Sequence, residues 1–202
     1  MAIKKTTREQ KTEETRMKIS RASWDLMAKY DPDTITVDDI CEKAGISKGS
    51  FYHLYKSKDD FFILVLSKER EDHLQKHFTL APAAPLLTQV LDFIRVNLEF
   101  NRLKGKDLCV ASYISMLKTY QQGEIVPAFY NDTLCALIER GLAEGALAPS
   151  FTVSEYYRLF HDWIIGFLIG WSISPHPADE DLYDRILEHM VKAFFAPPVP
   201  VR

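Results

Sequence analysis

The stretch from Thr36 to Lys58, TVDDICEKAGISKGSFYHLYKSK, constrains this chain more than any other part of it. Thr36 stands three residues before Asp39, the spacing at which a threonine hydroxyl and an acidic side chain cap a helix start reciprocally. Ile40, Cys41 and Ala44 then recur at helical spacing, and Gly45 supplies the left-handed residue on which such a helix stops. After the single apolar Ile46, Ser47 is placed to cap a second helix. That helix carries Phe51, Leu54 and Tyr55 on one side and Lys48, Ser50, Tyr52 and His53 on the other. Two short capped helices around a tight turn make a helix-turn-helix. Such a unit presents the N-terminal part of its second helix to base edges in a DNA major groove, while its first helix crosses the backbone.

The residues AGISKGSFYHLYKSKDDFF, with Thr36 and Val37 ahead of them, resemble the tetracycline repressor (TetR) family of bacterial transcription regulators. The resemblance covers the first quarter of the chain, from Arg16 and Ile19 through Lys58 and Phe61. It implies an all-α protein: an N-terminal three-helix helix-turn-helix domain (1–60) and a C-terminal helical ligand-binding and dimerisation domain (61–197). It also implies that Thr36, Ser47, Lys48, Gly49, Ser50, Tyr52, His53 and Lys58 meet DNA, with Tyr52 and Lys58 on phosphates. Lys48, Ser50 and His53 are the residues placed for base edges. Leu54 departs from the family pattern, which often has a polar residue there. Asp38 and Asp39 fit better as stabilisers of a helix N-terminus than as DNA contacts.

The charge pattern agrees with a local affinity for phosphate. The formal net charge is −3, yet Lys4, Lys5, Arg8, Lys11, Arg16, Lys18 and Arg21 crowd the start of the chain. Lys4, Lys5 and Arg8 suggest either an arm toward the minor groove or a solubilising tail. The opening segment lacks the apolar core of a signal peptide, and the most hydrophobic window, Trp163 to Ile173, is about half the ~20 residues a membrane span needs. A cytoplasmic protein with no membrane partner is the expectation. Cys41, Cys109 and Cys135 have no metal-type spacing and read as small apolar fillers, with a redox-sensing thiol at Cys109 or Cys135 as the alternative.

Helical periodicity predicts a first helix from Thr12 to Tyr30 and a linking helix from Ser57 to Phe78, broken by APAAP at 81–85. Five more helices are expected: Leu86 to Leu103, Leu108 to Tyr120, Glu124 to Leu147, Ser154 to Ile173 and Ala178 to Phe195. No alternating strand pattern competes. His73 and His77, four apart, could share a metal on one helix face, but two ligands do not make a site, and no cofactor is expected. No nucleophile elbow, phosphate-binding glycine loop or HExxH motif is present. An enzyme reading therefore rests only on Tyr157, His161 and Asp162.

In the second half, Phe93, Asn97, Phe100, Tyr113, Met116, Tyr120, Phe129, Tyr130, Trp163 and Phe167 offer aromatic walls and a few polar handles for a small-molecule effector. Control by a protein partner is the alternative. Asp162, Gly166 and Gly170 form a narrow helix edge, and Tyr183, Ile186, Leu187, Met190 and Phe194 an amphipathic last helix. The resemblance implies that these two helices pair with those of a second copy, with plain intrachain core as the alternative. The whole reading is a homodimeric repressor released from an inverted-repeat, double-stranded operator by its effector.

Overall fold

The computed structural model describes residues 6–27, 29–119, 126–175 and 180–195. Among them the chain forms nine α-helices and no strand: α1 Thr7–Met27, α2 Val37–Ala44, α3 Lys48–Leu54, α4 Lys58–His77, α5 Leu86–Lys104, α6 Lys106–Thr119, α7 Ala128–Ala143, α8 Val153–Ile173 and α9 Glu180–Phe194. They divide between two compact units, Met1–Leu66 with Ala111–Glu124, and Ser67–Val110 with Ile125–Arg202. Both α4 and α6 run from one unit into the other. No described helix is long and apolar enough to cross a membrane.

The first unit condenses around Ile19, Ile35, Ile40, Cys41, Phe51, Tyr55, Phe61 and Phe62. Phe51 is fully buried and meets the rings of Tyr55 and Phe61 at centroid distances of 5.5 and 5.9 Å, within the range where tilted aromatic pairs attract. The C-terminal part of α6 belongs to this unit, where Ser115 Oγ donates to Asp59 Oδ1 at 2.6 Å.

The second unit packs α5 against α7, α8 and α9, with Phe93, Ile94, Leu98, Leu137, Ile138, Ile164 and Leu168 fully buried. α5 also buries three amides, Gln89, Asn97 and Asn101. Asn97 donates to the Phe93 carbonyl at 2.9 Å, and Asn101 Oδ1 accepts from Arg70 Nη2 at 2.8 Å. Arg70 lies 4.5 Å over the Phe100 ring, so the part of α4 in this unit is pinned to α5 by stacking and hydrogen bonding together. Arg95 pairs with Glu188 at 2.6 Å on the flank where α5 meets α9.

Several helix boundaries differ from those periodicity predicts, for local reasons. α1 begins five residues early because Thr6 and Glu9 form a capping box, in which Glu9 N donates to Thr6 Oγ1 (3.3 Å) and Thr6 N to Glu9 Oε2 (2.7 Å). Arg8 is therefore part of a helix rather than an arm. Lys4 and Lys5 lie outside the described residues. α7 starts at Ala128, with Pro127 outside the helix at ψ 137° and its carbonyl accepting from Asn131 N; Glu124, expected to open this helix, lies outside the described residues. It ends at Ala143 with Gly145 at φ 69°, whereas the apolar pattern runs on to Leu147. α8 is capped by Thr152 with Glu155, one residue ahead of the expected start, and Ala178, expected to open α9, lies outside the described residues. At the start of α4, Asp60 N donates to Ser57 Oγ at 3.0 Å, but the Asp60 carboxylate takes the Lys56 N–H rather than that of Ser57.

The return of the chain after α7 sets a size limit. A Cβ built on Gly141 falls 2.8 Å from Leu147 Cδ1 and 3.3 Å from Phe195 Cε1, closer than packed carbons approach. Gly141→Ala is expected to lower unfolding free energy by about 1–3 kcal/mol, read as a lower denaturant midpoint. An unchanged midpoint would mean that Leu147 moves aside freely.

Candidate nucleic-acid interface

α2 is held at both ends by its own sequence. Asp39 N donates to Thr36 Oγ1 at 3.2 Å, and Thr36 N to Asp39 Oδ2 at 2.8 Å, completing the capping box. Thr36's hydroxyl and backbone N–H together hold the Asp39 carboxyl below the usual carboxylate range. At the other end Gly45 adopts φ 66°, ψ 41°, and the Ile46 N–H returns to the Cys41 carbonyl at 3.0 Å. The turn is then only Gly45, Ile46 and Ser47.

Ser47 Oγ accepts from Ser50 N at 3.1 Å and opens α3. Seven residues are too few for a helix to persist alone in water. Burial of Phe51, with Leu54 packed beside it, supplies what the short hydrogen-bond ladder lacks. Leu54, where the family pattern often has a polar residue, thus serves the core. Burying Phe51 turns the opposite face outward: Lys48, Gly49, Tyr52 and His53 are exposed and Ser50 is half-buried. The Tyr52 ring stands edge-on to Phe51 at 5.6 Å, so its hydroxyl end is held away from the core by a buried neighbour. Lys48 Nζ meets Asp38 Oδ1 at 2.7 Å, and this partner holds the ammonium above its ordinary pKa. Both groups are exposed, so the pair contributes little to stability.

Lys58 is employed differently from the phosphate anchor that the sequence suggests. Its ammonium donates to the carbonyls of Pro32 (3.0 Å), Asp33 (3.3 Å) and Ile35 (2.9 Å), using all three of its protons on the loop between α1 and α2. It also lies 5.9 Å over the Phe62 ring. Lys58 therefore ties the start of α4 to the loop that leads into α2.

The other residues singled out in the sequence scatter. Phe93, Asn97, Phe100, Tyr113, Tyr130 and Phe167 are buried, Met116, Phe129 and Trp163 are half-buried, and Tyr120 lies outside the described residues. Tyr113 and Met116 fall in the first unit and the rest of the described set in the second. Phe93 and Tyr130 do meet, with centroids 5.2 Å apart, and Tyr130 OH lies 3.3 Å from His161 Nδ1. That buried pair was not foreseen as a pair, since 31 positions separate its members. His161 is buried with the Tyr157 ring stacked on it at 5.5 Å, while Asp162 is exposed and accepts from Arg158 Nε at 3.0 Å, so Asp162 does not join the other two. The His73 and His77 rings lie tilted with centroids 4.5 Å apart; burial, and then His77, hold His73 below the ordinary histidine range. Among the described residues no group of three or more His, Cys, Asp or Glu is placed to hold a metal. Cys109 is buried, which pushes its thiol up to about 11, and Cys135 is raised by burial as well. Both are poor thiolates.

Of the last two helices, Leu187 is fully buried within its own unit, and its assignment to a subunit interface is corrected accordingly: it is intrachain core. Phe194 packs on Phe160 and Trp163 at 5.2 and 5.5 Å, and Tyr183 on Phe167 at 5.5 Å. Asp162, Gly166 and Ile186 are exposed, and Met190 and Gly170 are half-buried. A Cβ on Gly166 would meet nothing within 4 Å, whereas one on Gly170 would touch the Tyr183 hydroxyl at 3.6 Å.

These features define an all-helical protein with a helix-turn-helix near its N-terminus. The sequence profile described as "Bacterial regulatory proteins, tetR family" matches residues 19–65. A stretch of 41 residues is 49% identical to the uncharacterized HTH-type transcriptional regulator YwcC of Bacillus subtilis (strain 168), covering 20% of this chain and 18% of that protein's length. The fold is similar over a longer span to Salmonella enterica GusR (TM-score 0.57, 16% identity, 90% of this chain and 95% of that one). It is also similar to the fatty acid degradation regulator FadR of Bacillus halodurans (TM-score 0.57, 12% identity, 97% and 100%).

Two outcomes follow from this geometry. Lys58→Met removes the donor shared by the three loop carbonyls and is expected to cost about 1–3 kcal/mol of stability, read in a chemical melt of the whole protein. A stable variant that has lost only DNA affinity would return Lys58 to the role of phosphate anchor. Because the folded pKa of Asp39 lies below its ordinary value near 3.8, its contribution is present above that pH and is lost as pH falls through the lower folded value. Asp39→Asn should flatten that acid limb of stability, and an unaltered limb would contradict the assignment.

Proposed function

We propose that this protein is a homodimeric transcription repressor that binds an inverted-repeat operator through α3 and releases it when a small molecule occupies the second unit. The observation that carries the DNA-binding reading is the division of α3: Phe51 is completely buried while Tyr52, His53 and Lys48 on the same two turns face solvent. In this reading Lys48, Ser50 and His53 address base edges, and Tyr52, Thr36, Ser47 and Gly49 settle against the backbone. Two α3 helices related by a two-fold axis enter successive major grooves when they lie about 34 Å apart or a multiple of it.

The exposed edge of α8 and α9, with Asp162, Gly166, Ile173, Leu182 and Ile186, is the face we assign to the second copy. An apolar strip on two adjacent helices, with open space above Gly166, suits close approach of a partner helix. The effector is assigned to the aromatic interior around Phe93, Phe100, Phe129, Tyr130, Trp163 and Phe167, which suits an apolar or aromatic molecule. An effector shifts the population away from the DNA-competent form only by its differential affinity for the two forms, and α4, continuous through both units, is the lever assigned to that coupling.

The test is fluorescence anisotropy with duplex from the protein's own promoter against a scrambled duplex, at several salt concentrations. The expected result is preference for the promoter duplex at one dimer per site. In Tyr52→Ala binding weakens on both duplexes, and in His53→Ala the preference itself narrows, by about 1–3 kcal/mol for a lost base contact. Equal binding to both duplexes by the wild-type protein, or a monomer in sedimentation at the same concentration, would overturn the proposal.

A further inference from the structure

Beside α3 the first unit has an open groove of about 810 Å³, walled on one side by Thr7, Arg8, Lys11, Thr12 and Thr15 of α1 and on the other by Ser47, Gly49, Ser50, His53 and Leu54. The α1 residues Arg8, Lys11, Thr12 and Thr15 follow the i, i+3, i+4, i+7 spacing of a single helix face, an arc of about 100°. The acids of the same turns, Glu9, Glu13 and Glu14, fall outside that arc and do not line the groove.

We propose that the α1 side of this groove is the bed for one DNA strand's sugar–phosphate backbone, with Arg8 and Lys11 as its phosphate contacts, while Ser50 and His53 on the α3 side keep to base edges. The inference rests on the reading of α3 as the recognition helix. It goes beyond that reading by giving one face of α1 a direct share of the interface.

Three features support it. Arg8 and Lys11 are exposed and make no ion pair among the described residues, whereas Lys48, on the neighbouring helix, is paired with Asp38. The groove's mouth is thus cationic without an internal counter-charge. Next, the walls are built from small and hydroxylated side chains, and Gly49 adds no side chain at all, which leaves room for a ribbon of sugar and phosphate rather than a compact apolar ligand. Finally, the hydroxyls of Thr12 and Thr15 donate back to the carbonyls of Arg8 (3.0 Å) and Lys11 (2.9 Å). Their protons are committed to the helix, so binding a phosphate falls to the two cations. Arg8 and Lys11 stand one turn apart on α1, about 4.5 Å along its axis, within reach of successive phosphates given their flexible stems.

Phosphate contacts position a protein on DNA without reading its sequence, and each one released contributes about 0.9 to the slope of log K against log salt. The double variant Arg8→Ala with Lys11→Ala is therefore expected to bind promoter and scrambled duplex more weakly by the same factor, roughly tenfold or more at low salt. Its salt slope should flatten by about 1.8 per subunit. The charge-preserving pair Arg8→Lys with Lys11→Arg should keep both affinity and slope, which separates a contact from a fold defect, and helical melting of each variant checks the fold directly. A wild-type protein that prefers its promoter, with a double variant of unaltered slope and affinity, overturns the groove assignment and leaves α3's role standing. A wild-type protein with no preference for its promoter overturns the recognition reading itself, and the groove assignment falls with it.

Discussion

Everything distinctive about the first unit depends on burying one phenylalanine. α3 has seven residues, and its internal hydrogen bonds alone would leave it largely unfolded in water. Complete burial of Phe51 contributes about 1.5–3 kcal/mol of transfer free energy, and the rings of Tyr55 and Phe61 fix its rotation. Because helix geometry separates neighbouring side chains by about 100°, fixing Phe51 inward fixes Tyr52 and His53 outward. A packing constraint in the core therefore sets the direction of the polar face.

That constraint is held in place by groups placed around it. The Thr36–Asp39 box and the left-handed Gly45 set the length of α2, and Ser47 sets the first turn of α3. Lys58, reaching from α4 to three carbonyls of the loop before α2, closes the unit from the other side. Its ammonium satisfies three backbone acceptors at once, so it ties two segments more than twenty positions apart. In the second unit Arg70 has a comparable place, stacked on Phe100 and bonded to the buried Asn101.

What could be seen in the sequence was chemistry local to a few residues. Caps, the stop at Gly45 and the two faces of α3 all arise from spacings of seven residues or fewer, and each is present in the structure. α7 shows the limit of periodicity: its apolar pattern continues to Leu147, but Pro127 and Gly145 set the ends through backbone geometry. The placing of Lys58 and Arg70 and the Tyr130–His161 pair depended on contacts 23 to 31 positions apart, which no pattern in one chain records. Leu187 looked like part of an outward apolar stripe, because an amphipathic helix does not say which of its apolar residues face the chain's own core. The groove beside α3 was missed because the capping box at Thr6 extends α1 by more than a turn and carries Arg8 onto a helix face.

The central claim is that α3, oriented by Phe51, is the surface that meets DNA. Amide hydrogen exchange across the whole protein, with and without promoter duplex, tests it most directly. Added protection is expected in Lys48–Leu54 of α3 and in the first three turns of α1, with α2 changed less. Protection confined to the second unit, or none in α3 at saturating duplex, would contradict it.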